Sequence, residues 1–102
     1  MKILLVCSAG MSTSMLVDKM KKASEKKVID AEINAVAESE LQNHLNDLDV
    51  VLIGPQVRYL EKRIKECVEP LGIKCDVIDQ LAYGMMKGDQ VLDQAIKLAN
   101  YK

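Results

Sequence analysis

Two hydrophobic rhythms run through this chain. Residues 2 to 7 make a short, nearly unbroken apolar run that stops at Cys-Ser-Ala-Gly, the pattern of a strand buried on both faces. From Ser12 the spacing changes. Met15, Leu16, Met20 and Ala23 recur every three to four positions among Asp18, Lys19, Lys21 and Lys22, which predicts an amphipathic helix. Ser12, Thr13 and Ser14 are suited to cap its start.

The same alternation of periods continues to the end of the chain. Residues 31 to 37 alternate loosely and predict an edge strand. Ser39 to Gln42 has capping-box spacing and leads into a short helix with Leu41, Leu45 and Leu48 as its stripe. Residues 49 to 53 form a third strand that ends at Gly54-Pro55. A helix from about 56 to 69 follows, with Leu60, Ile64, Cys67 and Val68 on one face, before Pro70 and Gly72 punctuate the chain. Residues 73 to 78 predict strand four. A loop holding Gly84 and Gly88 precedes a last helix carrying Val91, Leu92, Ala95, Ile96 and Leu98.

The order βαβαβαβα predicts an α/β fold: one four-stranded parallel sheet with helices on both faces and right-handed crossovers. The 102 residues hold no linker, repeat or low-complexity stretch, so residues 1–102 are expected to form a single domain. In such sheets ligands gather outside the carboxyl ends of the strands, where strand order reverses. Loops 7–14, 54–58 and 79–88 should share that edge.

Charge and cysteine usage narrow the function. Fourteen basic and fifteen acidic residues leave the chain near neutral, and its three tyrosines, Tyr59, Tyr83 and Tyr101, do not interleave with a basic patch, so nucleic acid is not an expected partner. Three widely spaced cysteines, no CxxC and one histidine argue against both a disulfide scaffold and a zinc site. A reducing, cytoplasmic setting is expected, with no cofactor. The apolar start is too short for an export signal, and no run reaches the ~18 residues of a membrane span.

The chemistry concentrates after strand one. Cys7-Ser8-Ala9-Gly10-Met11-Ser12-Thr13-Ser14 places a thiol, a glycine and three hydroxyls at a strand-to-helix turn. Backbone N–H groups of such a loop converge on an oxyanion, and the helix N-terminus adds unsatisfied donors. The same donors favour a thiolate over a thiol: an ordinary cysteine near pKa 8.5 is brought to about 3.5 to 7.5 at helix N-termini. Cys7 is the expected nucleophile, with residues 8 to 14 as its phosphate cradle. Cys67 and Cys75 sit on the apolar faces of ordinary elements and are expected to be small buried hydrophobes.

This loop resembles the active loop of the enzyme IIB component of the bacterial phosphoenolpyruvate-dependent sugar phosphotransferase system, lactose/cellobiose class. The likeness extends through Leu52-Ile53-Gly54-Pro55-Gln56, Val77-Ile78-Asp79 and Tyr83-Gly84, in order, over essentially the whole chain. The resemblance implies a phosphotransferase: Cys7 accepts a phosphoryl group from a phosphohistidine of a IIA protein, as S-phosphocysteine. It then passes the group to a sugar, such as cellobiose or lactose, held by the membrane-embedded IIC permease. The chain itself is not expected to insert into the membrane.

The loop also resembles the Cys-x5-Arg signature of low-molecular-weight tyrosine phosphatases, and Thr13 stands at the arginine position. Without that bidentate cation on the equatorial oxygens, hydrolysis should be slow and transfer favoured. Asp79, at the end of strand four, suits either a general acid or a cap. Gln56 and Tyr83 border the same edge on topological grounds. Met11 is a candidate for an apolar docking rim. His44 lies on the polar side of its helix, as a solvated histidine does, and the mixed run 58–63 reads as a solvated face.

Overall fold

The computed structural model describes residues 1–7 and 10–100, and at residues 10–14 and 100 the backbone only. Ser8 and Ala9, two of the loop positions singled out above, therefore lie outside the described residues.

Four parallel strands, β1 (Lys2–Cys7), β2 (Glu32–Ala37), β3 (Val50–Ile53) and β4 (Lys74–Val77), pair in the order β2-β1-β3-β4. The register sets Cys7 opposite Ala37, Val6 opposite Ile53 and Ile53 opposite Val77, so the strands finish on one edge. All five residues of β1 after its first are buried. Side chains alternate across the sheet, so the run serves two cores at once. Ile3 and Leu5 join Leu16, Met20, Val50, Leu52, Val91 and Leu92 on one face. Leu4 and Val6 join Leu41, Val51, Ile53, Val57, Ile64 and Val68 on the other.

Helices α1 (Gly10–Lys26) and α4 (Gly88–Asn100) cover the first face, and α2 (Glu61–Val68) covers the second. A one-turn helix, α3 (Gln80–Gly84), follows β4. The two long helices approach closely at Gly88. A Cβ there would stand 2.5 Å from the Lys19 backbone carbon and 2.6 Å from the Met20 nitrogen, so only glycine lets α4 start against α1.

Several expectations need correction. Helix α1 starts at Gly10, which places Ser12, Thr13 and Ser14 within its first two turns instead of before it. Its buried stripe is Leu16, Val17, Met20 and Ala23, while Met15 is 57% exposed. The segment after β2 is a 3-10 helix, Glu38–His44, with no side-chain cap from Ser39. Leucines spaced four and three apart fit that tighter period as well as an α-helix, and short connectors often adopt it. The helix expected over 56–69 is divided into a 3-10 segment, Pro55–Leu60, then α2, then the 3-10 turn Glu69–Leu71, which Gly72 ends at φ 79°. Within it Ile64 and Val68 face the sheet, one turn apart. Cys67 falls beside that stripe and is exposed, contrary to the expectation that it is buried. Finally, the stretch 79–88 is not all loop, because α3 occupies half of it.

Candidate functional site

Strand order reverses between β1 and β3. The chain leaves β1 toward the α1 face and leaves β3 toward the α2 face, so a crevice opens outside the ends of these neighbouring strands. Cys7 is the last residue of β1 and α1 begins three residues later, at Gly10. Free backbone N–H groups at that helix start are therefore close in sequence to the sulfur. Cys7 is fully buried, and its Sγ lies 3.7 Å from the Val36 carbonyl oxygen on β2, at S–H donor distance. Nothing in the sequence pointed to Val36.

On the other side of Cys7 the β3 end is held tightly. The Gly54 N–H donates to the Val6 carbonyl at 2.8 Å and so extends the ladder by one residue. The Gln56 side chain folds back over Gly54: a Cβ at that glycine would meet Gln56 Oε1 at 2.6 Å and the Val6 carbonyl oxygen at 3.3 Å. Gln56 Nε2 also donates to the Tyr83 hydroxyl at 2.8 Å. The β3 and β4 loops are thus joined directly, and two of the three border residues named from the sequence are brought together. Arg58, read above only as part of a solvated face, lines the cleft beside them with Gln80 and Gly84.

Asp79 has a different role. Its carboxylate accepts the Ala82 N–H at 3.0 Å and caps α3, the helix that presents Tyr83. This is the cap reading of the residue. Gln94, which sequence reasoning missed, fixes the same corner: its Oε1 accepts the Asp79 N–H at 3.0 Å, and its Nε2 donates to the Val77 carbonyl at 2.8 Å. The available signal was a polar side chain flanking the Val91/Ala95 stripe of α4.

The remaining candidates lie apart from this edge. His44 is exposed on its 3-10 helix. Cys75 is buried in the middle region of the second core, and burial pushes its thiol up to about 12, with Glu61, Asp76 and Glu69 adding to the shift and Lys65 opposing it. Among the described residues, no helix is long and apolar enough to cross a membrane.

Comparison with known proteins identifies the family and agrees with the fold. The family described as "PTS system, Lactose/Cellobiose specific IIB subunit" matches residues 2–94. The chain is similar to the oligo-beta-mannoside-specific EIIB component of Bacillus subtilis (strain 168), with 42% identity covering 95% of this chain and 94% of that one. It is similar to the galactose-specific EIIB component of Lactococcus lactis subsp. cremoris (strain MG1363), with 43% identity covering 96% and 95%. The solution structure of a cellobiose-specific phosphotransferase IIB component from Borrelia burgdorferi superposes with a TM-score of 0.80 at 47% identity, covering 98% and 92%.

Proposed function

The chain belongs to the lactose/cellobiose-specific IIB family of the sugar phosphotransferase system, and from that premise we propose that Cys7 is the residue on which it carries the phosphoryl group. As a IIB component the protein is a phosphotransferase of sugar uptake, which does not favour the phosphatase alternative. The observation that supports Cys7 is its place: the end of β1, beside the tightly held Gly54, three residues before the start of α1.

The first step forms an S–P bond on Cys7 as the N–P bond of the IIA phosphohistidine breaks, and the thiol proton is left on the released imidazole. The second step breaks the S–P bond as a sugar hydroxyl on IIC forms an O–P bond, and the hydroxyl proton returns to the sulfur. Between the two, the phosphoryl oxygens rest on N–H groups and hydroxyls of residues 8 to 14, where converging donors favour a dianion. Gln56 and Tyr83 border the approach and Asp79 supports it from behind. The exchange takes place at the cytoplasmic face. We assign the sugar to the β-linked disaccharides, such as cellobiose or lactose.

The test is phosphate labelling from phosphoenolpyruvate with the general phosphotransferase proteins and a matching IIA. One phosphate per chain is expected on the wild type and none on Cys7→Ser. Labelling of Cys7→Ser at the wild-type level would overturn the assignment.

A further inference from the structure

A second region of concentrated charge lies on the flank of the molecule. Lys19, Lys22 and Lys26 recur at spacings of three and four along α1, which aligns them on one face. Together with Lys27, Lys87 and Met85 they line a cleft between α1 and the start of α4. Five of the chain's fourteen cationic residues border this cleft, against one of its fifteen acids, Asp89. A chain of net charge −1 therefore has a strongly basic flank. All five lysines are exposed, and among the described residues only Lys27 is in an ion pair, with Asp93. Met85 adds an apolar rim that is 58% exposed.

The kind of cation indicates the occupant. Both arginines, Arg58 and Arg63, lie elsewhere, so the cleft lacks the rigid forks that grip a single phosphate or carboxylate. Protein interfaces are depleted in lysine and depend on aromatic and arginine anchors, and among the described residues that line this cleft there is neither. Hydrated point charges on flexible stems, with a methionine rim, suit a diffuse anionic surface instead. We propose that this flank adsorbs to anionic phospholipid headgroups and holds the carrier at the membrane where it unloads. The destination rests on the carrier reading above, whereas the adsorption rests on the lysines alone. No segment inserts. The attraction is electrostatic, reversible and screened by salt.

The test is co-sedimentation of the full chain with phosphatidylcholine vesicles containing about one third phosphatidylserine, each lysine being worth about five-fold in affinity near such a surface. Binding should fall steeply with added salt and be absent on pure phosphatidylcholine. Lys19→Gln/Lys22→Gln/Lys26→Gln should bind about 100-fold more weakly by the same scaling. The control Lys62→Gln/Arg63→Gln, on α2, should bind as the wild type does. Circular dichroism checks that both variants are folded. Equal binding to neutral vesicles, or unchanged binding by the triple variant, would overturn the proposal. So would preferential capture by an acidic polypeptide that vesicles fail to displace. Phosphate labelling of the triple variant in solution should match the wild type. Loss of labelling in every protein would instead count against the carrier reading.

Discussion

Cys7 and Cys75 are both buried thiols on parallel strands of one sheet, yet their surroundings differ in every respect that matters for chemistry. Cys7 ends its strand, where the ladder stops and helix α1 is about to begin. Cys75 is the second residue of its strand, opposite Val51, packed among the second core with Ile64, Val68 and Ile73. Acidic neighbours on α2 and β4 surround it and burial holds its proton on. Burial is common to both. What distinguishes them is position along the strand: a strand end opens onto loops and helix N-termini that favour negative charge, and a strand interior does not.

The most forceful way to break this comparison is to exchange the two fates. Cys7→Ser should lose all phosphate labelling, and Cys75→Ser should retain it in full. Labelling that depended on Cys75 would reverse the argument.

A weaker perturbation acts on the helix that follows Cys7. Because a Cβ at Gly88 would stand 2.5 Å from the α1 backbone, Gly88→Ala must push α1 and α4 apart. Overpacking of this kind costs about 1–3 kcal/mol, read as a lower urea midpoint. Labelling of Cys7 should also slow, since α1 sets the first turn after it. A variant as stable and as active as the wild type would show that the strand end does not depend on where α1 lies.

Asp79 offers a still smaller test, at the far side of the edge. Asp79→Ala removes the cap of α3 and should cost about 0.5–2 kcal/mol, whereas asparagine caps as well as aspartate. Asp79→Asn should therefore keep both stability and labelling. A large loss of transfer in Asp79→Asn, with stability unchanged, would instead indicate an acid at this end of the sheet.

How much of this was legible in the chain follows from the kind of signal involved. Strands β1 and β3 are read directly because burial on both faces leaves no polar position inside them, and Gly54-Pro55 marks a clear end. Asp79 was legible as a choice between two roles, of which the structure shows the cap, through the Ala82 N–H. The period of the crossover segments was not legible. Leu41, Leu45 and Leu48 satisfy either helical period, and no local signal marks Glu61 as the point where the Pro55–Leu60 3-10 segment gives way to α2. Cys67 was misjudged because a spacing of three from Ile64 looks apolar on a helical wheel, while the residues of α2 that are buried are Ile64 and Val68. The contacts of Val36 and Gly88 are long-range, and no local pattern announces them.

The finest test concerns the buried thiol of Cys75, in alkali. In the folded chain burial holds its thiol up to about 12, while in the unfolded chain it titrates near the ordinary value of about 8.5. Between those limits the unfolded state has released the proton and the folded state has not. The unfolded state therefore binds fewer protons, and stability falls as pH rises through this window. Below about pH 8 the thiol is protonated in both states and contributes no slope. Cys75→Ala removes this dependence and leaves every other titrating group in place, Lys65 included, so the difference between the two proteins isolates the thiol. At neutral pH the wild type should be the more stable, because alanine leaves a small void in the second core. From pH 8 upward its advantage should shrink steadily, seen as converging urea midpoints. Parallel curves would mean that the Cys75 thiol ionises as readily in the folded chain as in the unfolded one, and that burial inside the strand does not hold its proton on.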